Sequence, residues 1–287
     1  MRVLFVAPFG APRCGEAEYA RIWARELEKI GVDITRWDGY WPSVYARGHQ
    51  YLPDDANAYN LIHVSWGPAN MGHYLPQRFP SNVPLSIFLA DVQSTTLLHA
   101  RADLVFAVEP AWRAIPWNHP IPPYEGPFVD RVGLPEEIVI GVSGIRDDKG
   151  HKEVIDLAAK RGWTVNAPLH WSRDAWLSTE EEILRLTQST LNVCWYHSTG
   201  RGTSMASTFC LAARRPLLVS GSTMFDFLRP WEGEIYWPGT PPASLEECIE
   251  RVLADIGARR ERWADKVLDE LGWARQARRV KEMWEAL

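Results

Sequence analysis

Apolar residues in this chain come in short runs, and polar stretches holding Gly or Pro separate them. Such runs predict buried parallel strands with helices or loops between them. Residues 2–8, RVLFVAP, predict the first strand. Ala20, Trp23, Leu27 and Ile30 then recur at three- and four-residue spacing, which puts them on one buried stripe of a helix over about 16–30. Gly31 is its natural stop. VDITRW predicts a second strand, and the Pro-, Tyr- and Asp-rich stretch 38–59 reads as irregular. LIHVSW (61–66), PLSIFLA (84–90) and DLVFAV (103–108) predict further strands. Together they make a Rossmann-like half.

Residues 113–136 hold Pro116, Pro120, Pro122, Pro123, Pro127 and Pro135 with few helical signals, and predict a linker between domains. A second series follows. EIVIGVSG (137–144), WTVNA (163–167), 191–196, RRPLLVS (214–220) and GEIYWPG (233–239) predict strands. Helices are predicted over 151–160, 179–186, 205–214 and 244–256, and the charged stretch 258–287 with interleaved Leu, Val and Trp is helical too.

Composition narrows the class. The chain has 287 residues, 46% of them hydrophobic, enough for two buried cores. A formal net charge of −5 argues against a globally basic nucleic-acid binder, though a local basic cleft is compatible with it. The 15 Trp suit stacking surfaces or core. Cys14, Cys194, Cys210 and Cys248 are far apart without a C-x-x-C, so neither zinc nor a disulfide framework is expected. The opening run is too short for a signal peptide, and no apolar run approaches the length of a membrane span. A cytoplasmic protein is expected.

The candidate chemistry sits in loops. Between the strand at 191–196 and the next helix lies His197-Ser198-Thr199-Gly200-Arg201-Gly202-Thr203-Ser204. A Gly-rich polar turn between a strand and a helix suits an anion such as phosphate. It equally suits an ordinary βα loop with a Ser/Thr N-cap. In SGIRDDKGHKEVIDLA (143–159), Gly144 ends a strand, and Arg146 and Lys149 stand at the sheet's mouth, where they can clamp a diphosphate. Asp147 and Asp148 also allow a plain charged turn. In PFGAPRCGEAEYAR (8–21), Gly10 and Gly15 let backbone approach a ligand, and Glu16 and Glu18 suit the helix start. The spacing there is not that of a dinucleotide-binding loop. Asp91 follows a buried strand and reads as a general base or as an N-cap. His63 and His197 are read at strand ends, more in keeping with structural roles than with catalysis.

Taken in order, these motifs resemble a GT-B-fold glycosyltransferase, and are most similar to the retaining family 4 group. FVAPFGAPRCGEAEYARIWARELEKIG resembles that family's opening strand, loop and helix. IGVSGIRDDKG resembles its donor-diphosphate motif, with Arg146 and Lys149 in the cationic places. GRGTSMASTFCLAARRPLLVS resembles its EGFG-x-x-x-x-EA-x-A-x-G-x-PVV segment, and IYWPGTPPASLEECIERVL its PG turn and helix. The family's two acidic residues fall on Arg201 and Phe209, and its His-Asp pair reads Ala90-Asp91.

The resemblance implies an α/β, GT-B chain of two Rossmann-like domains facing across a cleft. An acceptor-side domain is expected over 1–132 and a nucleotide-sugar domain over 133–272, with a helix at 273–287 returning to the first. It implies transfer of a sugar, of hexosyl type, from a nucleotide-diphosphate sugar (UDP- or GDP-sugar) to a hydroxyl, without a metal or other cofactor. Asp91, Arg146 and Lys149 are the expected catalytic residues. Gly144, Arg146, Lys149, Thr199, Gly200, Arg201, Gly202, Thr203 and Ser204 are expected to bind the donor, and Gly10, Gly15 and Glu18 the acceptor or its phosphate. Retention is implied by the family, whereas an Asp91 base suits inversion. The acceptor stays open between a small molecule, a glycan and a hydroxymethylated DNA base. The missing acidic pair also fits a non-catalytic nucleotide-sugar-binding protein, and the two-domain shape a sugar-nucleotide epimerase.

Overall fold

The computed structural model describes residues 1–10, 15–38, 52–66, 79–89, 101–107, 114–128, 136–144, 149–168, 177–197, 204–239, 243–258 and 265–287. In chain order its elements are β1 (Arg2–Ala7), α1 (Gly15–Lys29), β2 (Asp33–Asp38), β3 (Leu61–Trp66), β4 (Leu85–Leu89), β5 (Leu104–Ala107), β6 (Ile115–Pro116), β7 (Val139–Val142), α2 (His151–Arg161), β8 (Thr164–Asn166), α3 (Thr179–Thr187), β9 (Leu191–Cys194), α4 (Met205–Ala212), β10 (Leu217–Val219), α5 (Leu245–Ala258), α6 (Asp265–Leu271) and α7 (Trp273–Glu285). They form two compact units, Met1–Asn118 with Trp273–Leu287, and His119–Gly272.

The first unit is a parallel sheet in the order β2-β1-β3-β4-β5-β6. Central strands β1 and β4 are apolar nearly throughout and almost wholly buried, as strands covered on both faces must be. Edge strand β2 keeps charged and half-exposed positions. Helix α1 ends where Gly31 takes φ +81°, with Gly31 N–H bonded to Glu28 O at 3.0 Å and Val32 N–H to Leu27 O at 3.1 Å. Trp23 of α1 is fully buried. It stacks on Trp117 with ring centroids 5.7 Å apart and meets Trp273 of α7 at 5.6 Å. Helix α7 is tied down further by Trp284 Nε1–H, which donates to Ser86 Oγ of β4 at 3.0 Å. Several of the tryptophans are therefore core.

The second unit is a parallel sheet in the order β10-β9-β7-β8. The strand period of two sorts its side chains. Leu191 and Val193 face a cluster with Val154, Ile249 and Val252 from α2 and α5. Cys194 faces the opposite cluster with Ile183, Leu186, Cys210 and Leu211 from α3 and α4. Helix α3 opens with a capping box, in which Ser178 Oγ accepts from Glu181 N–H and the Glu181 carboxylate accepts from Ser178 N–H.

Three sequence readings change. Residues 113–136 are not simply a linker, because Ile115 and Pro116 add β6 to the first sheet beside Phe106 and Ala107. An edge position tolerates a proline, which has no N–H to give to a ladder. Ile121 N–H then bonds Leu271 O at 2.8 Å, so the chain enters the second unit by residue 119, ahead of the break expected at 132. GEIYWPG is not a strand: only Tyr236 bridges to Leu218, after a 3-10 segment over Thr223–Trp231, and Pro238 has no N–H to extend the pairing. His63 is not at a strand end but in the middle of β3, fully buried.

Candidate functional site

Each sheet changes direction at its first strand. β1 lies between β2 and β3, and β7 between β8 and β9. Open α/β sheets hold ligands beyond the carboxyl ends of strands at such switch points.

In the second unit Val142 of β7 pairs with Val193 of β9, so the loops after these strands leave the sheet side by side. Gly144 has φ +79°. A Cβ there would run into Lys149 Nζ and lie 3.3 Å from the Ala206 Cβ of α4. The Lys149 ammonium thus packs on bare backbone beside the first turn of α4. It also lies 5.2 Å from the ring centroid of Tyr196. Gly150, the N-cap of α2, has φ +60°, and a Cβ there would run into the Trp195 carbonyl oxygen. Left-handed backbone and this close approach both demand glycine. They bring the β7–α2 loop against the turn leaving β9.

That turn is fixed by its own bonds. Ser220 Oγ donates to Tyr196 O at 2.9 Å and accepts from Tyr196 N–H at 3.0 Å. The Tyr196 hydroxyl lies 2.9 Å from Ser204 Oγ, and Ser204 caps α4 by accepting from Ser207 N–H. His197 Nε2 lies 3.0 Å from Glu153 Oε2 in the first turn of α2. Helices α2 and α4 therefore begin at one sheet edge, aiming the positive ends of their dipoles at the place where Lys149 sits. Beneath it, Cys194 and Cys210 are buried with their sulfurs 3.8 Å apart. The hydrogen bond between them and burial push the Cys210 thiol well above its ordinary range, so it stays protonated core.

In the first unit the turn after β1 carries Phe9 and Gly10. A Cβ on Gly10 would run into the Asp38 carboxylate at the end of β2, so packing alone explains that glycine. Arg21 of α1 donates to Phe9 O from Nε at 3.1 Å and from Nη2 at 2.6 Å, while its Nη1 bonds Glu18 at 3.1 Å. Glu18 thus steadies the arginine that holds the turn. Gly15 opens α1.

Among the residues expected from sequence, Gly144, Lys149 and Ser204 come together at the second switch point, and Gly10, Gly15 and Glu18 lie on or beside the turn at the first. Asp91, Arg146, Thr199, Gly200, Arg201, Gly202 and Thr203 lie outside the described residues. Sequence reasoning missed Tyr196 and Glu153. Tyr196 read as the last residue of an apolar strand, whereas β9 stops at Cys194. An aromatic residue directly before a Gly-rich turn was the available signal.

No family model and no curated protein matches the chain. Among solved structures it is similar to a sucrose-phosphate synthase from Thermosynechococcus elongatus, at 15% identity and TM-score 0.62 over 100% of this chain and 98% of that one. It is similar to an alpha-glucosyltransferase in complex with UDP and a 13-mer DNA containing an HMU base, at 12% identity and TM-score 0.58 over 99% and 94%. HepE from Anabaena, in complex with UDP and glucose, matches at 14% identity and TM-score 0.58 over 100% of both chains. Likeness at these identities defines the fold. With its two parallel sheets, the chain has the α/β GT-B fold.

Proposed function

We propose that this protein is a glycosyltransferase that moves a sugar from a nucleotide-diphosphate sugar, UDP- or GDP-linked, to a hydroxyl acceptor. One observation carries the reading. Lys149, Gly144, the Gly150 N-cap of α2 and the Ser204 N-cap of α4 converge at the switch point of the second unit. A cation between two helix N-termini suits a departing nucleoside diphosphate, whose negative charge grows as the sugar leaves. UDP in the alpha-glucosyltransferase and in HepE supports the same class of donor. In this reading Arg146 and the 199–203 turn complete the diphosphate cradle, cations and helix N-termini act in place of a metal, and Asp91 serves the acceptor hydroxyl.

The acceptor side is assigned to the first unit, at the turn after β1. A DNA acceptor is the second reading, favoured by the likeness to the DNA-bound alpha-glucosyltransferase. The exposed Arg275, Arg278 and Arg279 of α7, local cations on a chain of net charge −5, favour it too.

The test is a thermal-shift screen against UDP, GDP, ADP, TDP and CDP and their sugars, with Arg146→Ala/Lys149→Ala as control. Binding to the native state raises its stability as RT ln(1 + [L]/Kd), so a binder at hundredfold excess gives a clear shift. A shift with one diphosphate, lost in the double variant, is the expected result. Turnover with the matching sugar nucleotide, with a glycan and a hydroxymethylated duplex as acceptors, should then fall on the order of a hundredfold or more in either single variant, at roughly 3 kcal/mol per cation. Absence of a shift with every diphosphate sinks the reading.

A further inference from the structure

Tyr196 stands where the two donor-side loops meet, and no motif assigned it a role. Its side chain is 4% exposed, yet it is not simply core. One edge packs on Phe225, with ring centroids 4.9 Å apart. Its ring also lies beneath the Lys149 ammonium, 5.2 Å from centroid to Nζ. Its hydroxyl reaches the Oγ of Ser204, the residue that caps α4. Ser220 grips its backbone from both sides, so the ring has little freedom to leave.

We propose that Tyr196 is a positioning residue for the donor diphosphate, holding the Lys149 ammonium and the Ser204 hydroxyl in register at the head of α4. The inference rests on the donor-site reading above.

Lysine is a compact charge on a flexible stem, and holding it in one place costs rotamer entropy. An aromatic face under the ammonium attracts it without adding a counter-charge of its own. The hydroxyl does a second task by fixing the rotamer of an N-cap whose helix points its first N–H groups at the same anion. One side chain thereby couples the loop after β7 to the turn after β9. Tyr196 touches neither the sugar nor the reacting atoms in this scheme. It acts through Lys149 and Ser204.

Two double-mutant cycles test this, each read by calorimetric titration of UDP, or of whichever of the five nucleoside diphosphates wild type binds. Tyr196→Leu removes ring and hydroxyl and should weaken binding roughly 5- to 30-fold. In a Lys149→Met background the same change should cost far less, because the group it positions is gone. Tyr196→Phe keeps the ring and should weaken binding roughly 2- to 10-fold. That loss should disappear in a Ser204→Ala background. The second cycle stands on its own if Tyr196→Leu does not fold. Equal costs with and without Lys149 and Ser204, or a lowered Tm with unchanged Kd, overturn the role of Tyr196 and leave the donor site standing. Wild-type protein that binds none of the diphosphates overturns both.

Discussion

Arg214 is the one described non-glycine residue with left-handed backbone, at φ 52°. Such a conformation costs a side-chain-bearing residue roughly 1–2 kcal/mol. Two contacts oppose that strain: its guanidinium bonds Asp265 of α6 at 2.7 Å and lies 5.3 Å from the Phe128 ring. The ion pair is more than a third exposed, so it is worth about 0–1 kcal/mol and does not fully offset the backbone. Arg214→Gly should therefore be near neutral or stabilising. Arg214→Ala, which keeps the strain and loses the pair, should be less stable than the glycine variant by about 1 kcal/mol. Urea denaturation orders the three proteins, and an alanine variant at least as stable as the glycine variant would refute the strain argument. The sequence gives no sign of this strain, because φ is a property of the folded turn.

Helix α3 shows which elements were legible. Ser178 followed three residues later by Glu181 is a local signal, and the structure completes it as a capping box. Ser178→Ala should cost about 1 kcal/mol, seen as a lower denaturation midpoint with unchanged slope. A change below a few tenths of a kcal/mol would mean the cap is replaced by water. Strands β1, β3, β4, β5, β7 and β9 were legible for a similar reason: a strand covered on both faces must be apolar along its length. The 233–239 stretch had the same apolar look and failed. What decides there is the partner, and only Tyr236 finds one, on Leu218. Helix α7 carried interleaved apolar residues, and the resemblance implied its return to the first domain without saying which elements it meets. Trp273 and Trp284 answer it by packing on α1 and β4.

Across the molecule, buried histidines set how stability responds to acid. His63 is fully buried among Phe5, Trp23 and Trp284, with Nδ1 3.0 Å from Ser86 Oγ. Ser86 Oγ also accepts from Trp284 Nε1–H. Burial lowers the pKa of His63 to about 3, and that of His119 to about 4. Above pH ~6.5 neither state binds these protons and the contribution to stability is complete. As the pH falls toward those values, the unfolded chain takes up protons that the native state refuses, so stability drops by up to about 1.4 kcal/mol per pH unit for each group. Unfolding free energies from pH 7 to 4 should show this fall, and His63→Leu should have a shallower slope than wild type. Parallel profiles would remove His63 from the account.

The sequence by itself determined the alternation of buried strands and amphipathic helices, the stop at Gly31, a Ser/Thr cap in the 197–204 turn, and the loops on which any chemistry must sit. These are local properties: side-chain period, backbone freedom at glycine and the short reach of a hydroxyl to the next turn. Tertiary structure alone decided that β7 and β9 are neighbours, that Gly150 gives way to the Trp195 carbonyl, and that Tyr196 lies between Lys149 and Ser204. Strand order depends on which sheet edge each crossover returns to, and a chain read one residue at a time holds no such record. Residues separated by some fifty positions, such as Lys149 and Tyr196, become one site only when the sheet has closed.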